Sequence, residues 1–386
     1  MNQVLPKEVN FIIDELMSHR YEAYIVGGCV RDRIMGKDPH DYDITTSALP
    51  CEIKSIFKST ADTGIKHGTV TVIIENKPFE VTTFRSEFGY SDSRHPDKVK
   101  FITNIEEDLK RRDFTMNAIA FNPEKGFCDP FNGTEDIKNK IIRAVGDPIE
   151  RFKEDALRIL RLFRFKSVLN FSIDKSTQNA ALSLCGEISE ISEERISAEL
   201  IKTLLGQTPE ALEPLIKNGG FKFLDITHCE KPERINYLTL NSEIRLYSFL
   251  KICNADVFKT CKALKLSNKF FSDFNDFEIL NAELKSDDIK RNLRKLKNKN
   301  NFILYLDYKK HILNEDISSY ILKYNKIIEN REPYEIKDLK INGDDLKNIG
   351  IKGKEIGKAL NFLLELITDD PKLNNKDKLL EIIKSR

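Results

Sequence analysis

Two aspartates separated by one residue, Asp41 and Asp43, are the first residues in the chain whose types and spacing suggest chemistry. On a strand, residues i and i+2 point to the same face, so the spacing predicts two carboxylates about 6–7 Å apart. Such a pair is costly unless a cation lies between them, and Mg²⁺ binds carboxylates together with substrate phosphates. The pair therefore predicts a metal site, to which Glu80, on a predicted strand at 79–84, is a candidate third contributor.

A chain of this composition contains on the order of one such aspartate pair by chance, so the residues before it matter. Gly27 and Gly28 follow a short predicted strand, and Arg31 lies one turn into the helix-like stretch that comes next. Two glycines let the backbone approach a bulky ligand, and the N–H groups that begin a helix favour a phosphate. An ordinary strand-to-helix turn is the alternative, but the order of glycine turn, arginine and paired aspartates is a rarer pattern.

A later helical segment carries Asp155, Arg158, Arg161 and Arg164 along one predicted ridge. Asp155 and Arg158 are i and i+3, so they are neighbours on a helix, and they offer one acceptor beside one donor. Cytosine and adenine both present the complementary donor and acceptor, whereas uracil and guanine present them reversed. Such a pair would accept C and A because a wrong base leaves polar groups unpaired. The alternative is a solvated charged face with i, i+3 ion pairs.

Two further charged segments are candidate nucleotide or RNA contacts. Arg112 and Asp113 open a segment in which Phe114 suggests burial, and a charge pair there would hold sugar hydroxyls and a phosphate; a surface pair is the alternative. Residues 290–299 hold a basic run without an acid, which suits RNA phosphates, although a solvated helix face also explains it.

These segments occur in an order that resembles a known family. GGCVRD at 27–32 followed by DYD at 41–43 is similar to the head of the polymerase-β-type nucleotidyltransferases. The match is closer to their class II branch, which contains CCA-adding tRNA nucleotidyltransferases and bacterial poly(A) polymerases. Residues 109–118 are similar to that family's ribose-recognition motif, residues 154–165 resemble its nucleotide-template helix, and residues 194–200 resemble the helix that braces this template.

The resemblance implies an enzyme that adds CCA to the 3′ end of tRNA from CTP and ATP without a nucleic-acid template, by two-metal nucleotidyl transfer that releases pyrophosphate. Its partner would be tRNA, contacted at the 3′ end, acceptor stem and elbow, with neither DNA nor a membrane involved. Asp41 and Asp43 would be catalytic and would hold Mg²⁺. The nucleotide-binding residues would be Gly28, Arg31, Arg112, Asp155, Arg158, Arg161 and Arg164.

Three alternatives to this activity remain open. A poly(A) polymerase shares every head motif, and the pI of about 7.5 and the lack of a long basic tail disfavour it only modestly. A second is an A-adding partner of a split pair. The third is an RNA-binding protein without catalysis, against which the intact charged residues argue.

A polar loop at 87–97 corresponds to one that CCA- and A-adding members carry and CC-adding members lack, so it argues against a CC-only enzyme.

The elements that must position these residues predict an α+β fold. The first 150 or so residues alternate between strands and helices, with helices at 6–19 and 48–57 and a hairpin whose tight turn is at 76–78. From Asp147 and Pro148 onward the pattern is helical, including one helix over 151–166. We expect a polymerase-β-like head with a mixed sheet at 1–147, followed by an all-α neck at 148–220, body at 221–310 and tail at 311–386.

Composition excludes several classes of protein. The chain has 386 residues, a net charge of +1, 40% hydrophobic and 32% charged residues, which is typical of a globular protein and not of a membrane or collagen-like one. Its 7 cysteines are scattered and form no CxxC pair, so neither a disulfide framework nor a cysteine zinc site is expected. With no signal-peptide pattern at the N-terminus, a cytoplasmic location is expected.

Overall fold

The computed structural model describes residues 5–88, 98–284 and 288–385 of the chain. The chain forms two compact units, Met1–Glu230 and Lys231–Arg386, which we call unit 1 and unit 2. Across these described ranges, no helix has both the length and the apolar character that a membrane span requires.

Unit 1 is built from strands in its first part and helices in its second. The strands are β1 (Ala23–Val26), β2 (Ile44–Thr46), β3 (Thr60–Gly64), β4 (Thr69–Ile74), β5 (Lys77–Thr83), β6 (Arg85–Phe88), β7 (Lys98–Phe101), β8 (Ala120–Asn122), β9 (Gly126–Cys128), β10 (Ile141–Ile142) and β11 (Ser172–Ile173). The helices are α1 (Lys7–Ser18), α2 (Gly28–Ile34), α3 (Pro50–Ile56), α4 (Ile105–Lys110), α5 (Gly133–Lys138), α6 (Pro148–Glu154), α7 (Leu157–Leu169), α8 (Lys175–Ser183), α9 (Glu193–Leu204) and α10 (Glu213–Lys217).

The main sheet of unit 1 is mixed and has the strand order β3-β4-β5-β2-β1-β8-β9. β2 runs parallel to β5, whereas β1 pairs antiparallel with β2 in a register that places Ile25 opposite Ile44. This register puts the end of β1 beside the start of β2. The glycine turn and the aspartate pair therefore meet at one edge of the central strands. These are the two segments that the sequence predicts to belong to a ligand or metal site.

The predicted hairpin over 69–84 is confirmed, but its turn lies earlier than the sequence suggests. β4 and β5 pair antiparallel, and the turn is formed by Glu75 and Asn76, which have φ of 50° and 64°. Positive φ at both central residues is the turn geometry that matches the twist of the flanking strands. Pro78, predicted to lie in the turn, belongs to β5 and stands opposite Ile73.

The helical part of unit 1 begins as the sequence predicts. Asp147 caps α6 by accepting from the backbone N–H groups of Ile149 and Glu150, and Pro148 occupies the first helical position. The prediction of one helix over 151–166 is wrong, since α6 ends at Glu154 and α7 begins at Leu157. Asp155 lies at the break with extended backbone (φ −151°, ψ 104°).

Unit 2 is helical and has its own core. Its helices are α11 (Ser242–Ile252), α12 (Val257–Ala263), α13 (Asn268–Glu283), α14 (Ile289–Lys295), α15 (Asn301–His311), α16 (Ser318–Glu329), α17 (Gly343–Asn348), α18 (Lys354–Asp369) and α19 (Lys376–Lys384). Aromatic rings fill its first half, where Tyr247 lies 5.1 Å from Phe277 between ring centroids. Aliphatic side chains that include Leu346, Leu363 and Leu379 fill the second. The α+β class, with a mixed-sheet head and a helical remainder, is confirmed.

The contact between α7 and α9 depends on the lack of a side chain at Gly206. A Cβ atom at this position would lie 2.2 Å from Ser167 Oγ and 2.7 Å from its carbonyl carbon. The backbone N–H groups of Gln207 and Thr208 donate to Ser167 O, so the two segments cannot separate without losing these hydrogen bonds. The close approach at Gly206 therefore fixes how α9 packs on α7.

We expect Gly206→Ala to lower the free energy of unfolding of unit 1 by about 1–3 kcal/mol, because the added methyl group overpacks this contact. Gly186→Ala is the matched control, since a Cβ atom there has nothing within 4 Å. Urea unfolding of both variants measures the effect. Equal stability of the two variants would contradict the proposed packing constraint.

Candidate active site

The turn between β1 and α2 places the first motif. Gly27 has φ 79° and ψ −131°, a backbone conformation that favours glycine, and its N–H donates to Ile119 O over 3.2 Å. A Cβ atom on Gly27 would lie 3.1 Å from Arg112 Nη1, whereas one on Gly28 would make only ordinary contact with Arg31. Of the two glycines, Gly27 is the one that the fold requires, and nucleotide contact by Gly28 stays a prediction.

The sequence predicted that Asp41 and Asp43 lie on a strand. This prediction is wrong, because both residues lie directly before β2. The ladder stops there because β1 ends at the Gly27 turn, and only the carbonyl of Asp43 still pairs, accepting from Val26 N over 3.0 Å. Both aspartates nevertheless line one cavity of about 550 Å³, which Glu80 on β5 also lines. The two residues thus line the same cavity from an extended loop and not from a strand, and the shared carboxylate site stays a prediction.

The electrostatics of this cavity suit a hard cation. The surrounding protein reduces the hydration of the Asp43 carboxylate and raises its pKa; Arg112 opposes the rise and Asp41 adds to it. In the part of the chain that the structure describes, neither aspartate side chain has a hydrogen bond or an ion pair. Two unpaired carboxylates fit a divalent ion that also takes phosphate oxygens. No cluster of three or more His, Cys, Asp or Glu side chains able to hold a metal ion occurs among the described residues, so Glu80 does not complete one.

Arg112 lies close to both the glycine turn and the acid pair. Its guanidinium is 3.5 Å from Asp108 Oδ2, and its Nε is buried without a hydrogen-bond partner among the described residues. Burial lowers the pKa of this guanidinium, and the carboxylates of Asp108 and Asp43 counteract that effect. A buried donor without a partner is costly, so the Nε–H of Arg112 is an unsatisfied hydrogen-bonding group near the glycine turn.

Asp155, at the break between α6 and α7, is held by one contact from the start of α7 and one from α9. Its Oδ1 accepts from Leu157 N over 3.0 Å, and its Oδ2 accepts from Arg195 Nη2 of α9 over 2.7 Å. Asp155 and Arg158 are thus not stacked one turn apart on a continuous helix, because Asp155 occupies the break between α6 and α7. Arg195 lies on α9, within the segment 194–200 that the sequence resemblance likens to a bracing helix, and that role stays a prediction.

The arginines of α7 also find their partners on other elements. Arg158 Nη2 donates to Arg111 O over 3.1 Å, and its Nη1 contacts Glu154. Arg161 pairs with Asp113 at 2.6 Å, and Arg164 pairs with Glu199 at 3.1 Å. Glu154 belongs to α6, so none of these partners lies on α7 itself. The alternative interpretation as a solvated face with i, i+3 ion pairs does not describe this ridge.

A chain of polar contacts joins three sequence motifs. Arg31 donates to Asp32 and, over 2.8 Å, to Asn117 Oδ1; Asn117 Nδ2 in turn donates to Asp113 Oδ1 over 3.1 Å. Arg161 then reaches the other oxygen of Asp113. Asn117 had no predicted role, although it lies inside the segment 109–118. Its contacts with Arg31 and Asp113 are visible only in the folded chain.

The basic run in unit 2 is largely paired within that unit. Its ion pairs are Lys290 with Glu332, Arg291 with Asp288, Glu365 and Asp369, Arg294 with Glu365, Lys295 with Glu283, and Lys299 with Glu335. The run has no acid in sequence, but α18 and other segments supply acids in space. These five side chains are committed to intramolecular ion pairs, which weakens their assignment to RNA phosphates.

An unpaired acid pair beside a glycine turn, with the charge of Arg112 acting on Asp43, is an arrangement suited to nucleotidyl transfer. The family comparison agrees with this class. Residues 23–143 match the family described as "Poly A polymerase head domain", and residues 170–225 match "Probable RNA and SrmB- binding site of polymerase A".

Comparison with individual proteins narrows the class. The CCA-adding enzyme of Ligilactobacillus salivarius is 36% identical over 412 residues, covering 96% of this chain and 94% of that protein. A crystal structure of the Bacillus stearothermophilus CCA-adding enzyme in complex with CTP aligns with a TM-score of 0.83 at 31% identity, over 99% of both chains. The Thermotoga maritima CCA-adding enzyme complexed with tRNA shares the fold, with a TM-score of 0.70 at 21% identity. The chain belongs to the family of CCA-adding enzymes.

This membership confirms the predicted enzyme class, a tRNA nucleotidyltransferase of a metal-dependent family. Nothing in the comparisons favours a poly(A) polymerase, an A-adding partner of a split pair or an inactive RNA-binding protein. Residues 89–97, which include most of the loop that argued against a CC-only enzyme, lie outside the described residues.

The buried pair of Asp113 and Arg161 predicts how stability depends on pH. Burial alone would raise the pKa of Asp113, but Arg161 and Asn117 outweigh it and lower the pKa from 3.8 to about 2. Because the folded-state pKa is the lower one, the carboxylate stabilises the fold above pH 3.8, and this contribution is lost as the pH falls towards 2.

We therefore expect Asp113→Asn to reduce the free energy of unfolding by about 1–3 kcal/mol at pH 7, and the difference from the parent protein to shrink as the pH falls through this window. Urea unfolding at several pH values measures it. Asp62→Asn is the control, because Asp62 forms an exposed pair with Lys54. A deficit for Asp113→Asn that stays constant down to pH 2 would rule out this linkage.

Proposed function

We propose that this protein adds C, C and A in order to the 3′ end of tRNA, using CTP and ATP and releasing pyrophosphate. The observation that carries the proposal is the pair of unpaired aspartates, Asp41 and Asp43, which face one cavity at the edge of the central strands. Membership of the CCA-adding family supports the substrate, and the CTP complex of the Bacillus stearothermophilus relative supports the nucleotide.

We propose Mg²⁺ as the divalent ion and Asp41 and Asp43 as the residues that would hold it. When bound, such an ion acidifies the attacking 3′ hydroxyl and neutralises charge on the phosphates. The protein contributes position and charge: Gly28, Arg31, Arg112, Arg161 and Arg164 would orient the nucleotide and its triphosphate. Arg112 is the best placed of these, because its Nε lacks a partner and its charge acts on Asp43.

Asp155 and Arg158 would select the base. Arg195 holds one carboxylate oxygen of Asp155, and the helix break turns the group away from a regular helical position. Arg158 donates through Nη1 to Arg151 O and Glu154 and through Nη2 to Arg111 O. These contacts do not use all the N–H groups of the guanidinium, and base selection would use the remaining ones.

The remainder of the chain would bind tRNA. We keep the division into a head at 1–147, neck at 148–220, body at 221–310 and tail at 311–386 as a proposal, in which body and tail recognise the acceptor stem and elbow by shape. The turn between α17 and α18, at Gly350 and Gly353, is a candidate contact with the RNA backbone. A cytoplasmic location is consistent with the free state of all seven cysteines.

The activity is tested with purified protein, Mg²⁺ and tRNA transcripts that end before, within or after CCA. Each NTP is offered singly, and CTP is also offered with ATP. We expect C, C and A to be added in order and extension to stop there. Unbounded A tails would indicate a poly(A) polymerase, addition of A only after CC would indicate an A-adding enzyme, and no incorporation would indicate an RNA-binding protein.

Asp155→Ala tests the template role. We expect misincorporation of U and G relative to C and A to rise about tenfold, because the acceptor that rejects them is lost, while metal binding stays intact. Single-nucleotide incorporation on tRNA ending in C measures it. Glu150→Ala is the control, since this exposed acid on α6 pairs with Lys153. An equal loss of all incorporation with unchanged base preference would remove Asp155 from this role.

A further inference from the structure

The ring of Phe165 on α7 is contacted by three guanidinium groups. The central carbon of Arg164 lies 4.3 Å from the ring centroid, that of Arg31 lies 5.2 Å away, and that of Arg161 lies 5.4 Å away. All three distances are within the range at which a cation is attracted to the face of an aromatic ring. Arg161 and Arg164 belong to the same helix as Phe165, but Arg31 comes from α2, beyond the glycine turn.

The ring itself is fixed. Phe165 is only 7% exposed, and its ring packs edge-to-face against Phe114 with centroids 5.8 Å apart and planes at 86°. Phe114 is fully buried and follows Asp113, the carboxylate that pairs with Arg161. The ring thus lies where α2, α7 and the segment 109–118 meet, and it cannot turn without disturbing the core.

The three arginines repel one another, and their acidic partners do not share a common site. Asp32 pairs with Arg31, Asp113 with Arg161 and Glu199 with Arg164. The pKa of the Arg164 guanidinium is lowered, first by burial and then by the charge of Arg161, with Arg31 adding to the effect. The electron-rich faces of one shared ring offset this repulsion without adding a negative charge that would repel a phosphate.

We propose that Phe165 is a positioning residue that holds Arg31, Arg161 and Arg164 together as one triphosphate-binding group. The inference rests on the proposed function of those arginines. Phe165 contacts arginines proposed to hold the triphosphate, which CTP and ATP share, so its effect should be alike on both nucleotides. Its role is to fix the orientation of three flexible side chains before the nucleotide arrives, which lowers the entropy lost on binding.

The sharpest test changes the electrostatics of the ring and keeps its shape. Replacing Phe165 with pentafluorophenylalanine reverses the sign of the ring quadrupole. We expect binding of inorganic tripolyphosphate in the presence of Mg²⁺, measured by calorimetry, to weaken about tenfold. In the tRNA assay the KM for CTP and for ATP should rise by similar factors, whereas kcat, base preference and the KM for tRNA should change little.

Phe163 supplies the matched control. It lies on the same helix and is fully buried, and none of the cation–ring contacts in the described ranges involves it. Pentafluorophenylalanine at this position should affect packing but not tripolyphosphate binding. Phe165→Leu should lose tripolyphosphate affinity, whereas Phe165→Tyr should keep most of it because the tyrosine ring is also electron-rich.

Equal losses of tripolyphosphate affinity at positions 163 and 165, or no loss at 165, would overturn the positioning role. So would a parent protein that does not bind tripolyphosphate. Because this readout involves neither tRNA nor a base, its outcome is separate from that of the CCA-addition assay. A parent protein that binds tripolyphosphate through Phe165 but adds no CCA would refute the proposed function alone.

Discussion

Asp113 is a buried carboxylate whose hydrogen-bond and ion-pair partners come from separate parts of unit 1. Arg161 donates to it from α7, and Asn117 donates to it while accepting from Arg31 of α2. A buried charge without partners is costly, so the stable state is the one in which α7 lies against the segment 109–118. The same arrangement brings the glycine turn, the arginines that we propose to bind triphosphate and the break at Asp155 into one region of the fold.

Charge in this region is distributed unevenly. Arginines 31, 161 and 164 each have an acidic partner, whereas Asp41 and Asp43 have none among the described residues. The cavity they line thus carries net negative charge, which attracts a divalent cation and, without one, repels a triphosphate. The three arginines are neutralised by their acidic partners. The charge distribution therefore favours binding of a nucleotide together with its metal ion over binding of a free anion.

In unit 2, ion pairs between charged side chains connect helices of the unit. Arg291 and Arg294 of α14 both pair with Glu365 of α18, and Lys290 pairs with Glu332. These partly exposed pairs are individually weak, but as a network they join segments that are far apart in the chain. If the basic run at 290–299 does not bind RNA phosphates, RNA recognition by the helical part of the chain depends more on the shape of the RNA, as is usual for double-stranded RNA.

The sequence by itself determined the features that neighbouring residues control: the strand and glycine turn before α2, the hairpin of β4 and β5, the Asp147 cap and the charged motifs that mark the family. Local backbone preference and side-chain periodicity are sufficient for these. The tertiary structure alone decided the helix break at Asp155, the partners of the α7 arginines, the contact of three guanidiniums with Phe165 and the pairing of the basic run. Asp155 and Arg195 are 40 residues apart, and Arg291 and Glu365 are 74 apart, so no spacing rule connects them. Only the packed chain brings such charges within hydrogen-bond distance, and for a buried group such as Asp113 burial then makes the pairing obligatory.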